Sequence, residues 1–177
     1  MIFRRSGSIN KNQKGFTFID MIIAIAITGI IGVGTTGAIA QVFNQSTQSS
    51  VHMTAIKQVE NALYSISRDA HMAQIVATDS GDSGFPLDLS WGEWASGADH
   101  QVTYSIEDGK LKRSHSINGG DPDEITVAQD INPDAQITNC ELADRVLTLK
   151  ITATVGDGSR TVSETGKREV IPRPSLE

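Results

Sequence analysis

The sequence predicts an α+β chain: a long amino-terminal helix, membrane-spanning in its first half and amphipathic in its second, packed on an antiparallel β-sheet head. Three observations predict it. Met21 to Ala40 contain no charged residue, and at about 1.5 Å per residue they span roughly 30 Å, the thickness of a bilayer core. Ile56, Val59, Leu63, Ile66, Ala70, Ala73 and Ala77 follow one another at alternating spacings of three and four, which is one face of a helix. After that, short alternating runs are separated by clusters of Gly, Asp, Asn and Pro, the pattern of strands and turns.

The helix is preceded by a basic stretch. Arg4, Arg5, Lys11 and Lys14 come before Phe16 with no acid among them. The rest of the chain holds 11 basic and 21 acidic residues, a net charge of -10. Basic residues flanking an apolar span place that end in the cytoplasm. The acidic remainder argues against direct nucleic-acid contact, which rewards clustered Lys and Arg. Cys140 is the sole cysteine, so neither an intrachain disulfide nor a thiolate metal cluster is available.

Asp20 sits at the head of the apolar run, and no Lys, Arg or His lies between Phe16 and Asn44 to answer it. An acid there is expensive and points to function. Three readings compete. A secretory signal peptide would use Ala38–Ala40 as its cleavage signal, but the apolar run is long for one. A plain anchor explains the length and the basic flank but not Asp20. A helix that first sits in the membrane and then packs against copies of itself explains both. In that reading the partner of Asp20 is a new α-amino group, made by cutting just before the helix. Gly29, Gly32, Gly34 and Gly37, with nearby alanines, would let such helices approach closely.

The run "KGFTFID" at Lys14–Asp20, within a basic leader and a long apolar helix, resembles the processing site of type IV prepilins and type II secretion pseudopilins. The resemblance is clear over roughly residues 11–44. It implies that prepilin peptidase cuts after Gly15 and that the same enzyme methylates the new amino terminus, Phe16. It also implies that Asp20 takes the place of the family's acidic residue, usually Glu, in assembly. Other pilin or pseudopilin subunits and an inner-membrane assembly platform would be the remaining partners. The implied location is the cytoplasmic membrane, single-pass with the amino end cytoplasmic and the head outside. From there the subunit would enter a filament at the cell surface or in the periplasm.

The chain then divides into a leader (1–15), a transmembrane or filament-core helix (16–43), a helical extension packed on the head (44–77) and a β-rich head (78–177). Residues 78–99 read as a long loop, rich in Gly, Ser, Asp and Pro. Its Trp91 and Trp94 either cap the core or form a partner contact. Val102, Tyr104 and Ile106 alternate up to Asp108-Gly109, and Leu111 reopens a strand, which is a hairpin. "ITVAQDI" is a short strand. Val146–Val155 place Leu147, Leu149, Ile151, Ala153 and Val155 on one face, a core strand of an antiparallel sheet. "GDG" turns it back, and Pro172 and Pro174 end the pairing.

Catalytic chemistry finds little footing. His52, His71, His100 and His115 are dispersed without metal-ligand spacing. Cys140 reads as a small buried residue. The acidic turn at Asp121, Asp123 and Glu124 does not match an EF-hand loop. It reads as a solvated turn, although some related pseudopilins bind calcium in the head. No cofactor is expected. The sequence therefore predicts a non-enzymatic structural subunit, a minor one, of a type IV pilus or type II secretion pseudopilus. The alternative is a membrane-anchored extracytoplasmic binding module outside any filament.

Overall fold

The computed structural model describes residues 15–79, 81, 83–158 and 161–174; the basic leader lies outside them, save Gly15. Among the described residues one helix, α1 (Phe18–Met72), is followed by eight antiparallel strands. β1 (Ile75–Thr78), β2 (Leu87–Gly92), β3 (Asp99–Glu107), β4 (Lys110–Ile117) and β5 (Asp123–Ala128) form a meander in chain order. β6 (Asn139–Ala143), β7 (Val146–Val155) and β8 (Val162–Val170) form a second sheet. This is the α+β, pilin-like layout that the resemblance implies. The chain divides into two compact units, one up to Gln45 and one from Ser46 onward.

In the second unit, α1 buries Ala55, Val59, Ala62, Leu63, Ile66 and Ala70, and Ala73 is buried just past its end; these include most of the stripe read from the sequence. The sheets answer with Leu87, Leu89, Val102, Tyr104 and Leu111, and with Leu147, Leu149, Ile151, Ala153 and Val170. Each fully buried Leu, Ile or Val contributes about 1.5–3 kcal/mol of transfer free energy. β8 packs tightly on the helix at Gly166, where an added Cβ would lie 2.5 Å from Val59 and 2.6 Å from Leu63.

A buried carboxylate sits at this interface. Asp69, on α1, is fully buried. It accepts hydrogen bonds from the Tyr104 hydroxyl at 2.7 Å and from Arg113 Nε at 2.6 Å, and Arg68 Nε donates to its other oxygen at 3.1 Å. Ser65 lies 2.9 Å from the same phenol. Burial, with the Asp69 charge assisting, pushes the Tyr104 phenol well above its ordinary range. Burial works against the Arg113 charge, but its hydrogen bond to Asp69 prevails and holds the guanidinium above its usual value.

Three expectations need correction. The amphipathic stripe does not stay helical to Ala77. α1 stops at Met72; the Gln74 amide donates to the Ser90 carbonyl, and Ile75–Thr78 pair with β2. Residues 78–99 are not all loop, because Leu87, Leu89 and Trp91 alternate along β2. β6 was not anticipated. Its turn to β7 uses Asp144 and Arg145, both at positive φ, with no glycine to signal it.

Candidate functional site

The segment singled out by the sequence begins at Gly15, where an added Cβ would meet nothing within 4 Å. Phe16 is 94% exposed and Phe18 77%. The helix starts at Phe18 because Thr17 caps it. The Asp20 amide donates to the Thr17 hydroxyl at 3.3 Å, and Asp20 Oδ2 accepts from the Thr17 amide at 2.9 Å and the Thr17 hydroxyl at 2.8 Å. This is a reciprocal capping box, with an aspartate at the third helical position. A negative charge in the first turn also suits the helix dipole. Asp20 is therefore not without a partner: its own turn supplies two donors to one carboxylate oxygen. The Thr-x-x-Asp spacing carried that signal, and the sequence reading missed it.

Every hydroxyl in the apolar run is turned back onto the helix. Thr28 donates to the Ala24 carbonyl at 2.7 Å, Thr35 to Ile31 at 3.0 Å and Thr36 to Gly32 at 2.9 Å. The side surface is thus apolar all round. Its most apolar stretch has a mean hydropathy of 2.1 and none of it is buried within the chain, so α1 is long and apolar enough to cross a membrane. Gly29, Gly32, Gly34 and Gly37 all have open space where a Cβ would stand. A shallow groove runs past Met21, Ala24, Ile25, Thr28 and Gly29. Such a surface offers close, flat packing to another helix.

The head holds the other candidates. Trp94 is 91% exposed on the turn between β2 and β3. Trp91 is half-buried against the core, its ring parallel to those of His100 and His115. The two tryptophans therefore part company: one closes the end of the core, the other faces solvent. The Cys140 thiol is buried and donates to the Gly84 carbonyl at 3.0 Å. Burial pushes its pKa up to about 12, which leaves no thiolate for nucleophilic work. At the acidic turn, Glu124 pairs with Lys112 Nζ at 3.3 Å. Among the described residues no group of three or more His, Cys, Asp or Glu is placed to hold a metal ion. His100 and His115, dispersed in sequence, are in contact across β3 and β4, and fifteen residues of separation gave no sign of it.

Residues 10–36 match the family model of the prokaryotic N-terminal methylation motif. That motif is the signature of type IV pilins and pseudopilins, and it supports a pilin- or pseudopilin-like substrate of prepilin peptidase anchored by its apolar helix. Neither curated proteins nor solved structures give a match to this chain.

Proposed function

We propose that this chain is a minor structural subunit of a type IV pilus or type II secretion pseudopilus, cut after Gly15, methylated at Phe16 and assembled through residues 16–43. The observation that carries this reading is the methylation motif at residues 10–36, on a helix whose most apolar stretch is not buried among the described residues. The motif suggests a structural, non-enzymatic subunit, and among the described residues of the head no group of three or more His, Cys, Asp or Glu is placed to hold a metal ion.

The chemistry of assembly follows from Asp20. Both hydrogen bonds to its carboxylate come from Thr17, which lies after the scissile Gly15-Phe16 bond, so cutting leaves the capping box whole. Both donors address Oδ2, and among the described residues Oδ1 is left to meet a cation. Cleavage turns the neutral amide of Phe16 into an ammonium group. In an apolar helix bundle either charge alone is costly, and a well-placed pair costs much less. The amine of one subunit against Asp20 of the next would set axial register, while apolar packing past Gly29, Gly32, Gly34 and Gly37 would supply the adhesion. The aspartate, one methylene shorter than the family's glutamate, remains bound to its own turn. The incoming amine must therefore approach the helix start closely.

Co-expression with prepilin peptidase tests the reading. Mass spectrometry should find the wild-type chain shortened by residues 1–15 and methylated at Phe16, and Gly15→Ala uncut. A wild-type chain that keeps its leader would favour a membrane-anchored binding module instead.

A further inference from the structure

His100 on β3 and His115 on β4 share the face of the sheet that carries Leu89, Val102 and Trp91. His100 Nδ1 and His115 Nε2 are 3.0 Å apart, with ring centroids 5.3 Å apart and planes within 12°. That centroid separation is the nitrogen gap plus one ring radius on each side. The facing nitrogens are therefore in line, edge to edge, as a hydrogen bond requires. Trp91 lies parallel to both rings, 5.2 Å from His100 and 6.2 Å from His115.

An in-line imidazole pair holds one proton between its facing nitrogens. One ring donates; the other accepts and keeps its own proton on its outer nitrogen. A first added proton goes to the outer nitrogen of the donor ring. It makes that ring cationic and strengthens the bond as a charge-assisted one. A second proton can go only to the facing nitrogen of the acceptor. It sets N–H against N–H and cation against cation.

We propose that the His100–His115 pair is an acid-released catch, which binds β3 to β4 under Trp91 with one shared proton and lets go when both rings become cationic. The released His100 has room to move: it lines, with Trp91, an open cavity of about 280 Å³, with Gln74, Ser90, Gly92 and Asp99 among the other lining residues. The surroundings set the order of protonation. Arg113 on β4 adds positive charge, while Asp69 on α1 and Asp123 on β5, the cross-strand partner of His115, oppose it. Asp99 on β3 lines the cavity, and β2 presents only Leu87, Leu89 and Trp91 on this face. Burial first, then Arg113 and His100, hold the His115 imidazole below its ordinary value. A base whose pKa is lowered by folding binds its proton more weakly in the folded state. The fold therefore loses stability as pH falls from about 6.5, the ordinary histidine value, towards the lower folded one.

The test uses the full chain in detergent micelles, with Trp94→Phe so that Trp91 alone reports. Imidazole nitrogen NMR should show one facing nitrogen protonated and the other bare near neutral pH, then two separate titration steps, the second well below the ordinary histidine range. Trp91 emission should change with the second step only. In His115→Gln the low step should vanish. Two histidines titrating alike and independently in the wild type would overturn the proposal, whether or not the variant folds. So would Trp91 emission indifferent to the second step.

Discussion

Asp20 has two separable roles, and substitution can divide them. As a capping residue it needs only an acceptor oxygen for the Thr17 amide and hydroxyl. As the proposed counter-charge to a neighbour's amine it needs to be ionised. Asp20→Asn keeps an acceptor and removes the charge; Asp20→Ala removes both. Losing a helix cap costs about 1 kcal/mol, small for a helix this long and apolar, so both variants should insert and be cut after Gly15. Both should then fail to enter filaments, as read by the sheared surface fraction or by pull-down with other subunits. Incorporation of Asp20→Asn at the wild-type level would show that the charge is not what sets register. Asp20→Glu should incorporate, because glutamate is the usual residue of a capping box at this position. At this scale the sequence displayed the site well but not its local chemistry. Gly15, Phe16 and Asp20 were read from their spacing as the proposed processing site, and Thr17 was read only as part of the motif, not as the helix cap that it forms. The His100–His115 contact is a matter of register between two strands, and no linear spacing encodes it.

Among the elements, those with both a period and a turn signal were legible. The β3–β4 hairpin announced itself through Asp108-Gly109, both residues at positive φ, and β7 through ten alternating residues. β6 was hidden because Asp144-Arg145 makes the same kind of left-handed turn without glycine. β2 was hidden because Gly, Pro and Ser flank its Leu-Asp-Leu-Ser-Trp alternation. The Arg145 turn yields a prediction. A non-glycine residue in the left-handed region costs roughly 1–2 kcal/mol, partly offset by the greater freedom glycine loses on folding. Arg145→Gly should therefore stabilise the head by about 0.5 kcal/mol, a small rise in melting temperature. The opposite holds where β8 meets α1. Gly166→Ala drives a methyl group into Val59 and Leu63 at 2.5 and 2.6 Å, and overpacking of that kind costs about 1–3 kcal/mol. Calorimetry should show a clear loss. An unchanged melting temperature would mean that β8 and the helix move apart more easily than their packing suggests.

At the scale of the whole chain, the division near Gln45 separates two kinds of stability. Among the described residues up to that point none is buried, and Phe16, Phe18, Ile30 and Val33 are all more than two-thirds exposed; an outside environment must cover them. From Ser46 onward the helix, both sheets and the Asp69–Tyr104–Arg113 cluster make one closed core. Residues 46–177 should then fold without the first 45. They should be soluble and monomeric, with helix and strand signals in circular dichroism and a single cooperative melt close to that of the head in the micelle-bound full chain. The polar cluster adds a stricter demand on that fragment. Arg113→Leu leaves the fully buried Asp69 short of its close cation, and breaking a buried pair in this way costs about 3–5 kcal/mol. In the fragment the substitution should lower the melting temperature far more than Gly166→Ala does. The double change Asp69→Leu with Arg113→Leu, which buries no charge, should recover part of the loss. A fragment that aggregates or melts without cooperativity would mean that the core of the head depends on the preceding apolar helix, and that the two units are not independent in stability.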